Sequence, residues 1–178
     1  YNGGTATVTN STLSGNTADF GGGISNVGTA TVTNSTLSGN TALDGNGGGI
    51  ENYQGTVTVT NSTLSGNSAN GGGGIYNGGT ATATVTNSTL SGNEANNGGG
   101  IFNLGTATVT NSTLSGNTAN FGGGIYNFGT ATVTNSIVLG NIAGTNNEIL
   151  DNGTVTNPSD ISIIGGENAA DVFAATTT

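Results

Sequence analysis

Catalysis and metal binding need titratable or nucleophilic side chains, and this sequence holds few of them. Its 178 residues include nine Asp and Glu but no Lys, Arg, His or Cys. Glycoside hydrolysis needs two carboxylates across the scissile bond. The best candidate pair is Asp19 and Asp44, at matching points of two repeats, with Glu51 a short way beyond. Placed close together, such acids would also invite a hard cation such as Ca²⁺. Both stand in polar stretches of varying length, however, where carboxylates are ordinarily solvated surface groups. We therefore expect no enzyme, no cofactor and no resident metal.

The missing cations exclude whole classes of partner. Nucleic acid is bound by Lys and Arg displacing condensed counterions, and anionic membrane surfaces by polybasic segments. Neither mode is open to a chain of net charge −9. No apolar run approaches the length of a bilayer span, so membrane insertion is not expected. Without cysteine there is neither a disulfide nor a thiolate metal site.

Three polar or aromatic arrays remain. The first is Thr-Val-Thr, which recurs as Thr7/Thr9, Thr31/Thr33, Thr58/Thr60, Thr84/Thr86, Thr108/Thr110, Thr132/Thr134 and Thr154/Thr156. On a flat parallel sheet these would form two straight files of hydroxyl-plus-methyl side chains, and the array resembles the Thr-x-Thr face of β-solenoid antifreeze proteins. High β-propensity alone also favours outward threonine. The second array is Asn-Ser-Thr, formally a glycosylation sequon, at Asn10, Asn34, Asn61, Asn87 and Asn111. We expect these asparagines to be inward members of a stacked ladder, beyond the reach of a transferase. The third is aromatic: Tyr76, Phe102 and Tyr126 at one outward position, with Tyr53, Phe121 and Phe128 nearby. Such a file could contact a glycan or a neighbouring molecule, or simply cover the glycine-rich strands beside it.

These arrays need an element that repeats. Residues 5–16 recur at 29–40, 56–67, 80–93, 106–117 and 130–141, with a degraded copy from Thr154. Between copies stands Gly-Gly-Gly-Ile, whose isoleucines, Ile24, Ile50, Ile75, Ile101 and Ile125, are 26, 25, 26 and 24 residues apart. A period in the twenties carrying short alternating segments indicates a solenoid. Ala6 and Val8 alternate with outward Thr5, Thr7 and Thr9, as in a half-buried strand. Leu13 lies an odd number of residues beyond Val8, so a corner at Asn10-Ser11 must intervene. A second strand holds Leu13, a variable corner follows, and a third strand holds Ile24. Asn10, Asn16 and Asn26 and their equivalents head three stacked corner columns, as Asn tolerates left-handed turns and its amide can pair along the axis.

The expected fold is all-β: a single-stranded, right-handed parallel β-helix of about seven coils of 24–27 residues, with three short strands per coil. At the inter-strand spacing it would be roughly 30 Å long, with the hand set by the crossover preference of parallel strands. We divide the chain into a repeat domain, residues 1–166, and a tail or linker, residues 167–178. Since residues 1–5 match residues 76–80, the chain opens inside a repeat, and we expect further coils or processing there.

Leu13-Ser14-Gly15-Asn16-Thr17-Ala18 followed by Gly21-Gly22-Gly23-Ile24 resembles the repeat of polymorphic outer membrane proteins and related autotransporter-adhesin passengers. That family couples Phe-x-x-Asn to Gly-Gly-Ala/Ile; here Leu-x-x-Asn stands in its place. The resemblance covers about six coils and implies an extracellular or cell-surface bacterial passenger, structural or adhesive. Lyases built on parallel β-helices typically use Lys or Arg beside calcium-binding acids, and this chain has neither cation. The partners to expect are further coils of the same chain or a second copy stacked along the axis, with a glycan or an ice surface as candidate ligands.

Overall fold

The computed structural model describes residues 1–157 and 162–165. The proposed tail at 167–178, and Pro158 in the degraded copy, lie outside the described residues. Among the described residues there is no helix, and every strand pairing is parallel and joins equivalent residues of successive coils. The fold is a β-solenoid of six full coils, and a partial seventh adds a strand to two of its faces.

Each coil has four strands, one more than the repeat pattern suggested. In the fourth coil they are Thr82–Thr86, Thr89–Ser91, Glu94–Asn97 and Ile101–Asn103. The additional strand occupies the stretch expected to be a variable corner. It is as short as Thr17–Ala18 and carries only one inward side chain per coil, for example Ala42, Ala95 and Ala119. Two to four residues with a lone alanine show no alternation to read. Backbone pairing between coils, such as Ala95 with Ala119, forms there regardless of side chain.

The interior is a set of columns. Val32, Val59, Val85, Val109 and Val133 fill one, Leu37, Leu64, Leu90 and Leu114 a second, and Ile50, Ile75, Ile101 and Ile125 a third, all essentially fully buried. Each such side chain contributes about 1.5–3 kcal/mol, and no coil holds more than a few of them. Stability therefore accrues coil by coil through stacking, as in other solenoids. Val8, Leu13 and Ile24 of the first coil pack against this core but are only partly buried.

The glycine triplet is dictated by how closely coils approach. At Gly72 the backbone takes the left-handed region, φ +64. Gly73 and Gly74 are required for a different reason: a Cβ there would lie 2.7 and 2.6 Å from the carbonyl oxygens of Gly99 and Gly100 in the next coil. The same stretch is tied by Gly73 N–H to Gly98 O, 3.2 Å, and Ile75 N–H to Gly100 O, 2.9 Å.

Of the three asparagine columns, two are internal ladders. Asn40, Asn67, Asn93 and Asn117 are wholly buried. The Asn67 amide donates to Leu37 O, 3.0 Å, and to Asn93 Oδ1, 2.9 Å, while Asn67 N–H also donates to Asn93 Oδ1, 3.0 Å. The column from Asn26 through Asn127 does the same, with Asn77 Nδ2 donating to Asn103 Oδ1 at 2.8 Å. A buried amide needs all its bonds, and here every buried side-chain polar atom described has a partner.

Both ladders run in one direction, each amide donating to the next coil, so the last amide needs an acceptor. Both end on a carboxylate. Asn141 Nδ2 donates to Glu148 Oε2, 2.6 Å, and Gly140 N–H donates to Oε1, 2.9 Å. Asn127 Nδ2 donates to Asp151 Oδ1, 2.8 Å, which also accepts from Gly153 N–H. An ionised carboxylate only accepts, so it ends the chain of donors without leaving an N–H unpaired.

The column of Asn10, Asn34, Asn61, Asn87, Asn111 and Asn135 is different and corrects our expectation. These residues are exposed, each with φ between 46 and 52. They are corner residues chosen for left-handed backbone, which Asn tolerates better than other non-glycine residues. The buried ladder at this corner is made by the following serine: Ser62 Oγ donates to Thr60 O, 2.8 Å, and accepts from Ser35 N–H, 3.1 Å.

Candidate functional site

Three surfaces carry the residues singled out by type. The first is the flat face of the five-residue strands. Its register runs Thr7, Thr31, Thr58, Thr84, Thr108, Thr132, Thr156 in one file. A second file runs Thr9, Thr33, Thr60, Thr86, Thr110, Thr134. Thr154 pairs with Thr130 and so belongs to a third outward file, headed by Thr5. The face is thus three threonines wide, and the degraded copy is displaced by two residues from the alignment read in the sequence. In the interior coils Thr31, Thr33, Thr58, Thr60, Thr84, Thr86, Thr108, Thr110, Thr132 and Thr134 are half-buried, and only Thr7, Thr9, Thr154 and Thr156 of the terminal coils are exposed. Each inner threonine is flanked at strand spacing by its copies above and below, which cover it. Thr132 and Thr156 come within hydrogen-bonding distance, Oγ1 to Oγ1 3.1 Å.

The second surface is aromatic. Tyr76, Phe102 and Tyr126 are register partners. Their rings are packed at centroid distances of 5.6 Å, edge on, and 5.3 Å, stacked. Phe128 adds contacts to Tyr126 at 4.6 Å and Phe102 at 6.0 Å, and Phe121 to Tyr126 at 6.2 Å. Such pairs add about 0.5–1.5 kcal/mol each beyond burial. Tyr76 is only 8% exposed although it points outward, whereas Phe121 and Phe128 present their rings to solvent.

The third surface involves the acids, and the candidate pair is not brought together. Asp19 lines a hollow of about 690 Å³ together with Glu51. Asp44 lines a separate hollow with Leu43, Ser68 and Asn70. The register explains the separation: Ala18 pairs with Ala42, so Asp19 is level with Leu43 and Asp44 falls one residue further along. Among the described residues no three acids gather at one point. Glu51, given least weight in the sequence, is the distinctive acid. It is 7% exposed and accepts from Ser25 Oγ at 2.8 Å. Burial pushes its carboxyl above the usual range, and the Ser25 hydrogen bond opposes that shift. Burial also raises the Tyr76 hydroxyl, helped by the neighbouring Glu51 charge and by Tyr53.

The sequon asparagines Asn10, Asn34, Asn61, Asn87 and Asn111 all lie at the exposed left-handed corner. The burial expected to shield them from modification does not exist.

Comparisons with family models, with curated proteins and with solved structures find no match to this chain.

Proposed function

We propose that this chain is a non-catalytic structural and adhesive β-solenoid, a segment of a longer extracellular stalk or of a head-to-tail filament. The observation that carries the reading is the unbroken register of four parallel sheets through six coils. A rod that adds one coil at a time, with every corner closed by a polar ladder, suits holding things apart. The partly covered Val8, Leu13 and Ile24 and the edge strand Thr5–Thr9 favour continuation along the axis, whether by further coils or by a second copy, because unpaired strand edges recruit strands. A copy that stacks without closing a ring makes a filament. The resemblance to polymorphic outer membrane protein repeats supports a bacterial surface setting, and the exposed Phe121 and Phe128 offer an adhesive contact.

The test combines shape with adhesion. Scattering and electron microscopy of the purified chain should show rods whose length grows with concentration, and beads coated with it should bind cells or glycan surfaces less well after Phe128→Ala. A concentration-independent monomer whose beads bind nothing would overturn the proposal.

The Thr face favours a second reading, binding of ice or ordered water, since it holds three registered files rather than two. Thermal hysteresis that Thr84→Tyr abolishes without unfolding would support it, and hysteresis equal to that of an inert protein would remove it.

A further inference from the structure

The outward file that carries Tyr76, Phe102 and Tyr126 begins differently. In the first two coils its members are Ser25 and Glu51. With no ring on Ser25, the space above the glycine triplet of the first coil stays open, and the 690 Å³ hollow forms there. Gly21, Gly22 and Gly23 line it as bare backbone, while Phe20 and Tyr53 contribute rings. Phe20 is fixed against the second coil, because a Cβ added to Gly45 would lie 2.2 Å from its Cδ1 atom. Tyr1 also contributes to the lining.

Glu51 is the residue that needs explaining. A carboxylate this deeply buried is costly unless paired with a cation or fully hydrogen-bonded. One of its oxygens, Oε2, accepts from Ser25; the other has no hydrogen-bond partner among the described residues and lies on the hollow. The chain has no Lys, Arg or His to pair with it. Asp19 adds a second negative charge to the same lining. Aromatic faces beside carboxylates form the arrangement that holds quaternary ammonium ions, through cation–π attraction and charge.

We propose that this hollow is a binding site for a small quaternary ammonium group, with Glu51 and Asp19 supplying the countercharge and Phe20 and Tyr53 the aromatic faces. A quaternary group has no N–H to satisfy and is weakly hydrated, which suits a lining of rings and glycine. A primary ammonium needs three acceptors and loses more hydration on entry. Calcium takes six to eight oxygens, more than Glu51, Asp19 and Ser25 supply. A bound cation would also relieve the burial that pushes the Glu51 carboxyl upward. The inference is independent of the stalk reading, since a rod can carry the site or lack it.

Backbone amide NMR of the whole chain at mildly alkaline pH tests it, with tetramethylammonium and choline chlorides as probes. Nα-acetyl-lysine amide, calcium chloride and N-acetylglucosamine serve as comparisons. Saturable shifts are expected at Ser25, Glu51 and Tyr53, with no response at Tyr126, whose rings lack a carboxylate. Glu51→Gln and Tyr53→Ala should each weaken choline binding about tenfold. Phe20 is 54% exposed, so Phe20→Ala should fold normally and weaken binding likewise; it decides the matter if the Glu51 variant is unstable. Tighter binding of the lysine amide, calcium or the sugar than of choline, or no response to any ammonium, would overturn the proposal.

Discussion

Asn87 and Asn93 stand six residues apart in one coil, both recur in nearly every coil, and they do opposite work. Asn93 is wholly buried. It donates to Leu64 O and Asn117 Oδ1 and accepts twice from Asn67, with every bond between 2.9 and 3.0 Å. Asn87 is exposed at a φ of 50, and its value lies in the backbone shape it permits. One column is there for its amide, the other for its tolerance of a strained corner. Repetition shows that a position is constrained; burial shows by what.

The largest effect should come from Asn93→Leu. The substitution keeps the volume but leaves the Asn67 backbone and side-chain N–H groups without their acceptor, and Leu64 O and the Asn117 amide without their donor. Each orphaned buried group costs about 1–3 kcal/mol, so we expect a loss of about 4 kcal/mol or more. Urea unfolding measures it. Hydrogen exchange should show the damage centred on the third to fifth coils, since each coil contacts only its neighbours. A loss below about 1 kcal/mol would mean that the ladder is decorative.

Glu148→Ala should come next. It removes the acceptor that ends the first ladder, leaving Asn141 Nδ2 and Gly140 N–H unpaired. The expected cost is about 2–3 kcal/mol, concentrated in the sixth coil. Glu148→Gln retains an acceptor oxygen and should cost about half as much. Equal losses for the two variants would show that charge, rather than acceptance, ends the ladder.

The same contrast explains what could be read in the sequence. The phases of Val, Leu and Ile were legible because alternation and a fixed period report burial directly, and the model reproduces those columns. The strand at Thr17–Ala18 and its equivalents was not, because it is too short to alternate and is held by backbone pairing. Asn10 and Asn16 could not be told apart as outward and inward, since Asn suits both a left-handed corner and a ladder. The role of Glu148 depends on a side chain reaching back seven residues to Asn141, which no periodicity encodes. The Ser25–Glu51–Tyr76 file could be counted off the repeats, but not the burial of Glu51, which depends on how the surrounding coils fold over it. Asp19 and Asp44 looked equivalent until the register placed Asp19 beside Leu43.

The smallest effects should come from the exposed column and sharpen the comparison most. Asn87→Ala keeps the corner but places a residue with no local hydrogen-bonding side chain in the left-handed region, at a cost of about 1 kcal/mol. Asn87→Gly removes that conformational penalty while adding freedom to the unfolded chain, and the two should nearly cancel, within about 0.5 kcal/mol. At Asn93 the order reverses in meaning: Gly and Ala both delete the amide, so both should be severe, with Gly no better than Ala. The diagnostic is therefore the rank of Gly against Ala at each position, read from urea midpoints of four single variants. If Gly rescues Asn87 but not Asn93, backbone conformation governs one column and hydrogen bonding the other. If Gly and Ala are equally harmful at Asn87, its side chain contributes more than the corner geometry, and the division between the two columns drawn from burial fails.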